Sequence, residues 1–178
     1  AGLASQRKAL WKIGIENVNS FPPGVVAEVS ELGFKCTVAK RITTPDPKYL
    51  TMEDASSKLQ VLLEKSVSKR VDGLKKVAVA FSGGIDSSII ASLAKKTGAD
   101  VQLIHVSLTN QPETEHAKAM ADELNLSIHV SQYGEKDVLQ ALPSVLRLIE
   151  EVDPVKTSVG IPFFWVAEEA ARLRLAVI

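Results

Sequence analysis

The sequence lacks a cysteine pair. Its 178 residues hold one cysteine, Cys36, so no disulfide can close within it, and a reducing, cytoplasmic setting is the expectation. It also lacks an excess of either charge, since 21 basic residues face 21 acidic ones. That balance argues against a polybasic surface, and so against nucleic acid as the partner, although a local patch stays open. No apolar run approaches membrane-spanning length, and no membrane partner is expected. Two common phosphate signatures are missing as well. There is no Gly-x-x-x-x-Gly-Lys-Ser/Thr, the loop that holds β- and γ-phosphates, and no Gly-x-Gly-x-x-Gly for a dinucleotide. His105, His116 and His129 share no metal-ligand spacing.

What is present centres on one stretch. Val77-Ala78-Val79-Ala80-Phe81 is short, apolar and rich in β-branched residues, the pattern of a strand buried on both faces. Ser82-Gly83-Gly84 follows as a turn in which two residues lack a Cβ. Asp86-Ser87-Ser88 then opens a helix that runs to Lys96. A strand, a glycine turn and a helix start together expose backbone N–H groups and the positive end of a helix dipole. Ser82, Ser87 and Ser88 add hydroxyl donors. The expectation is a cradle for a nucleotide phosphate, with Asp86 holding a cation that bridges phosphate oxygens.

The length suits one core with an appendage. Ala4–Lys12 reads as a short helix. Val25–Val29 and Phe34–Val38, separated by Ser30-Glu31-Leu32-Gly33, read as a hairpin. Thr43-Thr44-Pro45-Asp46-Pro47 reads as a linker, placing a boundary between residues 1–47 and residues 48–178. From Thr51 a long helix presents Met52, Ala55, Leu59, Leu62, Leu63, Ser66 and Val67 on one face, expected to pack on a sheet. Further strands are expected at Val101–Val106, Ser127–Val130 and Leu175–Ile178. Helices are expected at Glu113–Asn125, Lys136–Val152 with Pro143 as a break or a new first turn, and Pro162–Leu173, whose face presents Phe163, Val166, Ala170 and Leu173. Strand and helix alternate from Val77 onward, which predicts an α/β fold: a parallel, doubly wound, Rossmann-like sheet plus the small N-terminal hairpin. Ligands bind such sheets beyond the carboxyl ends of the strands, where Ser82–Ser88 would lie.

Ser82 to Ser88 matches Ser-Gly-Gly-x-Asp-Ser-Ser at every position. The chain thereby resembles the ATP-pyrophosphatase superfamily, whose loop of this pattern serves cleavage of ATP between its α- and β-phosphates. Within it the chain is most similar to the asparagine synthetase family, which includes β-lactam synthetase. Leu59–Arg70 resembles the helix before the family's ATP strand. Glu150-Glu151-Val152-Asp153-Pro154 with Ile161-Pro162-Phe163 resembles its "E-x-x-D … x-P" segment. Leu3–Leu10 and Phe21-Pro22-Pro23-Gly24 resemble the end of its glutaminase domain.

The resemblance implies the fold of the adenine nucleotide alpha hydrolases and ATP with Mg²⁺ as cofactors. It implies an amide-forming ligase that activates a carboxylate amino acid, aspartate in the first instance. The carboxylate attacks the α-phosphate, pyrophosphate leaves, and ammonia, free or derived from glutamine, attacks the acyl-adenylate to release AMP. Ser82, Gly83, Gly84, Ser87 and Ser88 would cradle the pyrophosphate, and Asp86 would hold Mg²⁺ as the catalytic and metal-binding residue. Ala80 and Phe81 would lie near ribose and adenine, with Val106 offering backbone groups to the base. A homodimer is among the expectations.

Two departures go with this. The family's glutaminase uses an N-terminal cysteine, whereas this sequence begins Ala1-Gly2 and Cys36 is elsewhere, so no glutaminase activity is assigned. The family's "S-G-x-G-x-D-E" motif would begin where this sequence stops, at Ile178, so a continuation that completes the site is expected. Two competing readings are an RNA-modifying member of the superfamily and a nucleotide-binding module without ligase chemistry. Blander readings hold elsewhere. Cys36 reads as a small buried residue, His105, Trp11 and Trp165 as core, and Glu168-Glu169 as a solvated helix face.

Overall fold

The structure, a computed structural model, describes residues 2–41, 43 and 50–177. The proline linker expected at Thr44–Pro47 and the expected strand end at Ile178 lie outside the described residues. The chain divides into two compact units, residues 1–51 and 52–178.

In the first unit α1 spans Arg7–Trp11, shorter than expected, and buries Leu10. β1 (Val25–Ser30) and β2 (Gly33–Val38) pair antiparallel, with Val25 opposite Val38 and Ala27 opposite Cys36. The hairpin is legible in sequence because its β-branched runs flank a turn that closes on Gly33, at φ 132°. Two expectations for this unit fail. Cys36 is exposed, because every residue of β2 faces solvent, and a two-stranded ribbon has no second layer to bury a face. Trp11 is 40% exposed, at the end of a helix of one and a half turns.

The second unit is a parallel sheet in the order β5-β4-β3-β6, with helices on both faces. Its strands are β3 (Lys76–Ala80), β4 (Asp100–Leu108), β5 (Ser127–Tyr133) and β6 (Ala176–Val177). β3 lies between β4 and β6, and its side chains alternate between two cores. Val77 and Val79 pack with Leu103 against Ala91 and Ala94 of α3 (Ile85–Lys96) and Ala117 and Ala121 of α4 (Glu113–Glu123). Ala78 packs with Ile104 against Val166 and Ala170 of α6 (Pro154–Arg172). Val77, Val79, Leu103 and Ile104 are at most 1% exposed, so each contributes roughly 1.5–3 kcal/mol by burial. The unbroken apolar run of β3 thus reflects covering on both faces, as the sequence implied.

Three helices depart from expectation. α2 (Met52–Val71) buries only Val67 and Val71 and half-buries Leu63, while Met52, Leu59 and Leu62 are exposed. Twenty helical residues span about 30 Å, and the five residues of β3 about 17 Å, so the helix outruns the strand it covers. α5 (Glu135–Ile149) carries Pro143 within it and ends at Glu150, at φ 58°. α6 starts at Pro154, not Pro162, because the Asp153 side chain accepts the Lys156 N–H at 2.8 Å and Pro154 takes a first-turn position where no N–H is needed. Among the described residues no helix is long and apolar enough to cross a membrane.

Candidate functional site

The turn between β3 and α3 is held by its own serines. Ser87 Oγ donates to the Gly84 carbonyl at 3.1 Å and receives the Ser82 N–H at 3.3 Å. With that proton committed, the Ser82 hydroxyl donates to Ser87 Oγ at 3.2 Å, and Ser82 Oγ accepts the Gly84 N–H, also at 3.2 Å. Gly84 is the N-cap of α3 and offers no side-chain cap, so the first N–H groups of the helix keep no intrahelical partner. Gly83 has φ 79°, and a Cβ there would fall 2.8 Å from the Ala117 Cα of α4. Only glycine fits both the conformation and the space.

Beside the turn lies a cleft of about 300 Å³, at the lower end of small-molecule sites. It opens at the carboxyl ends of β3 and β4, where the topology rule puts ligands. Of the expected residues, Ala80, Phe81, Ser82, Asp86, Ser87 and Val106 line it. Gly83 is buried under α4, and Gly84 is exposed at the helix start. Ser88 points inward: its Oγ is buried and, among the described residues, has no hydrogen-bond partner. Asp86 sits in the first turn of α3, exposed, and no described group bonds its carboxylate. Among the described residues no three acidic, histidine or cysteine side chains converge as a metal cluster.

Sequence reasoning misses the opposite wall. Pro162, Phe163 and Val166 of α6 complete the cleft. Helical spacing makes Phe163 a packing residue, yet it is 63% exposed. His105, expected in the core, is buried at 4% exposure. It also faces the site, because its Nδ1 meets the Phe81 carbonyl at 2.9 Å and therefore carries the proton there.

A second polar cluster lies on α6, and it corrects the reading of Glu168-Glu169 as a solvated pair. Glu168 is exposed, but Glu169 is buried, because the helical spacing that turns Trp165, Val166 and Ala170 inward takes residue 169 with them. Tyr133 OH and Arg172 Nη1 donate to Oε1 at 2.8 and 2.9 Å, and His129 Nε2 meets Oε2 at 3.1 Å. The Tyr133 ring stacks on Trp165 at 4.0 Å. Burial pushes the Glu169 carboxyl up, but the Tyr133 and His129 hydrogen bonds and the Arg172 charge outweigh it, leaving it below the usual range. Burial, and then Glu169 as acceptor, push the Tyr133 hydroxyl well above its usual range.

A carboxyl with a depressed folded-state pKa stabilises the fold above its unfolded value, and that contribution is lost as pH falls through the folded value. Thermal stability is therefore expected to drop below about pH 4.5, the ordinary range of such a group. Glu169→Gln is expected to cost about 1–3 kcal/mol at neutral pH and to flatten that acid limb. Melting curves across the pH range check both, and an unchanged acid limb in the variant would show that Glu169 does not carry it.

Residues 58–178 match the family described as asparagine synthase. A putative glutamine-hydrolyzing asparagine synthetase of Methanocaldococcus jannaschii is 32% identical over 98% of this chain and 35% of its own length. The carboxyethyl-arginine beta-lactam-synthase of Streptomyces clavuligerus is 29% identical over 79% of this chain and 28% of its own length. The chain thus spans about a third of the length of these curated relatives. Among solved structures, the NMN synthetase of Francisella tularensis superposes with a TM-score of 0.49 at 20% identity, over 72% of this chain and 54% of that one. With well over half of its residues inside that family match, this chain belongs to the asparagine synthase family.

Proposed function

We propose that this chain carries the ATP site of an ATP-dependent, amide-forming ligase that activates a carboxylate, aspartate in the first instance, by adenylation. The observation that carries the proposal is the glycine turn with its two cleft-facing serines and a free carboxylate, set against a cleft at the ends of β3 and β4. In this reading the base and ribose occupy the cleft between Val106 and Phe163, beside Ala80 and Phe81. The pyrophosphate portion runs out over Ser82, Gly83, Gly84 and Ser87. Ser88, whose hydroxyl is buried and has no hydrogen-bond partner among the described residues, is given no ligand contact in this reading.

Mg²⁺ suits the donor set. It keeps several waters and takes one or two carboxylates together with substrate phosphates, so a single exposed Asp86 beside a phosphate cradle is sufficient. When bound, it supplies neutralisation of the charge on the phosphate oxygens. The protein's own part is positioning and electrostatic stabilisation: backbone N–H groups and the α3 dipole meet the growing negative charge on the leaving pyrophosphate.

Pyrophosphate–ATP exchange tests the reading, first with aspartate and then with other carboxylates. Exchange that depends on one amino acid is the expected result. Exchange only in the presence of tRNA would turn the reading toward RNA modification. ATP binding with no exchange from any full-length parent would reduce it to a nucleotide-binding module.

A further inference from the structure

The back of the glycine turn is as constrained as its front. His116 of α4 brings Nε2 to 3.2 Å from the Gly83 carbonyl, and His105 of β4 brings Nδ1 to 2.9 Å from the Phe81 carbonyl. Both ring nitrogens face carbonyl oxygens, so both donate. His105 is fixed in turn: its Nε2 lies 3.4 Å from Thr114 Oγ1, and Thr114 Oγ1 lies 2.8 Å from Ser107 Oγ. With Nδ1 protonated, Nε2 accepts from Thr114, and Thr114 accepts from Ser107. Thr114, His116 and Ala117 are all on α4, so one helix backs the turn through a relay, a direct hydrogen bond and backbone packing.

A trans peptide holds its C=O and N–H in opposite directions. The carbonyl of Phe81 belongs to the same peptide unit as the Ser82 N–H, and that of Gly83 to the same unit as the Gly84 N–H. Drawing the two carbonyls toward the histidines turns the two N–H groups the other way. They end on Ser87 Oγ and Ser82 Oγ, both on residues that line the cleft.

We propose that His116 and His105 are positioning residues for a phosphate-bearing ligand: by anchoring the carbonyls behind the turn they hold the Gly84 and Ser82 amides on Ser82 Oγ and Ser87 Oγ, the hydroxyls of two residues that line the cleft. The proposal rests on the nucleotide reading of the cleft. It assigns a role to two residues that contact no phosphate themselves.

His116 is exposed and is the better test, because its replacement leaves the core alone. The 178-residue chain is titrated with Mg·ATP and, separately, with adenosine. His116→Ala is expected to weaken Mg·ATP binding about 5- to 10-fold, the loss of one hydrogen bond, and to leave adenosine binding unchanged. His116→Gln, which returns an N–H donor at similar reach, is expected to restore Mg·ATP binding to within about twofold of the original. Equal weakening of ATP and adenosine, no recovery with Gln, or ATP affinity unchanged in the Ala variant would each overturn the positioning role while leaving the nucleotide site standing. Failure of the unaltered chain to bind Mg·ATP would overturn the nucleotide reading and this inference together.

Discussion

Asp86→Ala is expected to weaken Mg·ATP binding by about 100-fold or more. Substitutions one shell away from a metal already cost 10- to 100-fold in affinity, and Asp86 is proposed as a direct ligand. The carboxylate is exposed at the cleft and no described group bonds it, so its removal breaks no internal hydrogen bond. What the fold loses is a negative charge in the first turn of α3, about 0.3–1 kcal/mol. The variant is therefore expected to melt within a few degrees of the original, and adenosine alone, which needs no metal, should bind both forms alike. The competing account is that Asp86 is only a favourable helix-start acid. In that account Asp86→Ala lowers the melting temperature slightly and leaves Mg·ATP affinity untouched, a result isothermal titration would reveal at once.

Gly83→Ala carries the second large effect, and here the damage is to the fold of the turn itself. At φ 79° an alanine costs roughly 1–2 kcal/mol for conformation alone. Its Cβ would meet the Ala117 Cα at 2.8 Å and the Ala117 N at 3.2 Å, which are backbone atoms that cannot swing aside. Moving α4 adds roughly 1–3 kcal/mol of overpacking. Together these predict a loss of about 2–5 kcal/mol, enough to unfold a marginal domain in part. Gly98 supplies the control. It has φ 84°, but nothing lies within 4 Å of the place its Cβ would take, so Gly98→Ala should show the conformational cost alone. Equal destabilisation of the two variants in chemical denaturation would mean that the contact with α4 contributes nothing.

The legible parts of this protein are the local ones. The strand, turn and helix of residues 76–96 are contiguous, and their chemistry is written in consecutive residues. The same holds for the hairpin and for the two-sided burial of β3, with Val77 and Val79 on one face and Ala78 on the other. The illegible parts depend on what lies across space. Periodicity puts Leu59 and Leu62 on an apolar face, but it cannot say where the sheet ends beneath α2. Pro162 resembles a helix start because prolines favour first turns, while the stronger start signal, Asp153 before Pro154, lies one segment earlier. Glu169 reads as solvated because it follows Glu168, and its partners Tyr133 and His129 come from a strand far back in the sequence. His116 reads as an ordinary helix residue because its one informative contact, with Gly83, spans 33 positions. Six of the nine expected site residues do line the cleft, since they belong to strand ends and a loop whose place the alternating pattern already implies.

The order β5-β4-β3-β6 also says something about time. β3, β4 and β5 join neighbours in sequence through single helices, and their ladders close short loops. The pairing of Val77 with Ala176 instead closes a loop of about a hundred residues. A closure that long costs more chain entropy than the short ones, so β6 should dock after β3, β4 and β5 have paired. On this account the glycine turn is assembled early in folding, with α4 already behind it. Hydrogen exchange during refolding would then protect the β4 amides before those of β6.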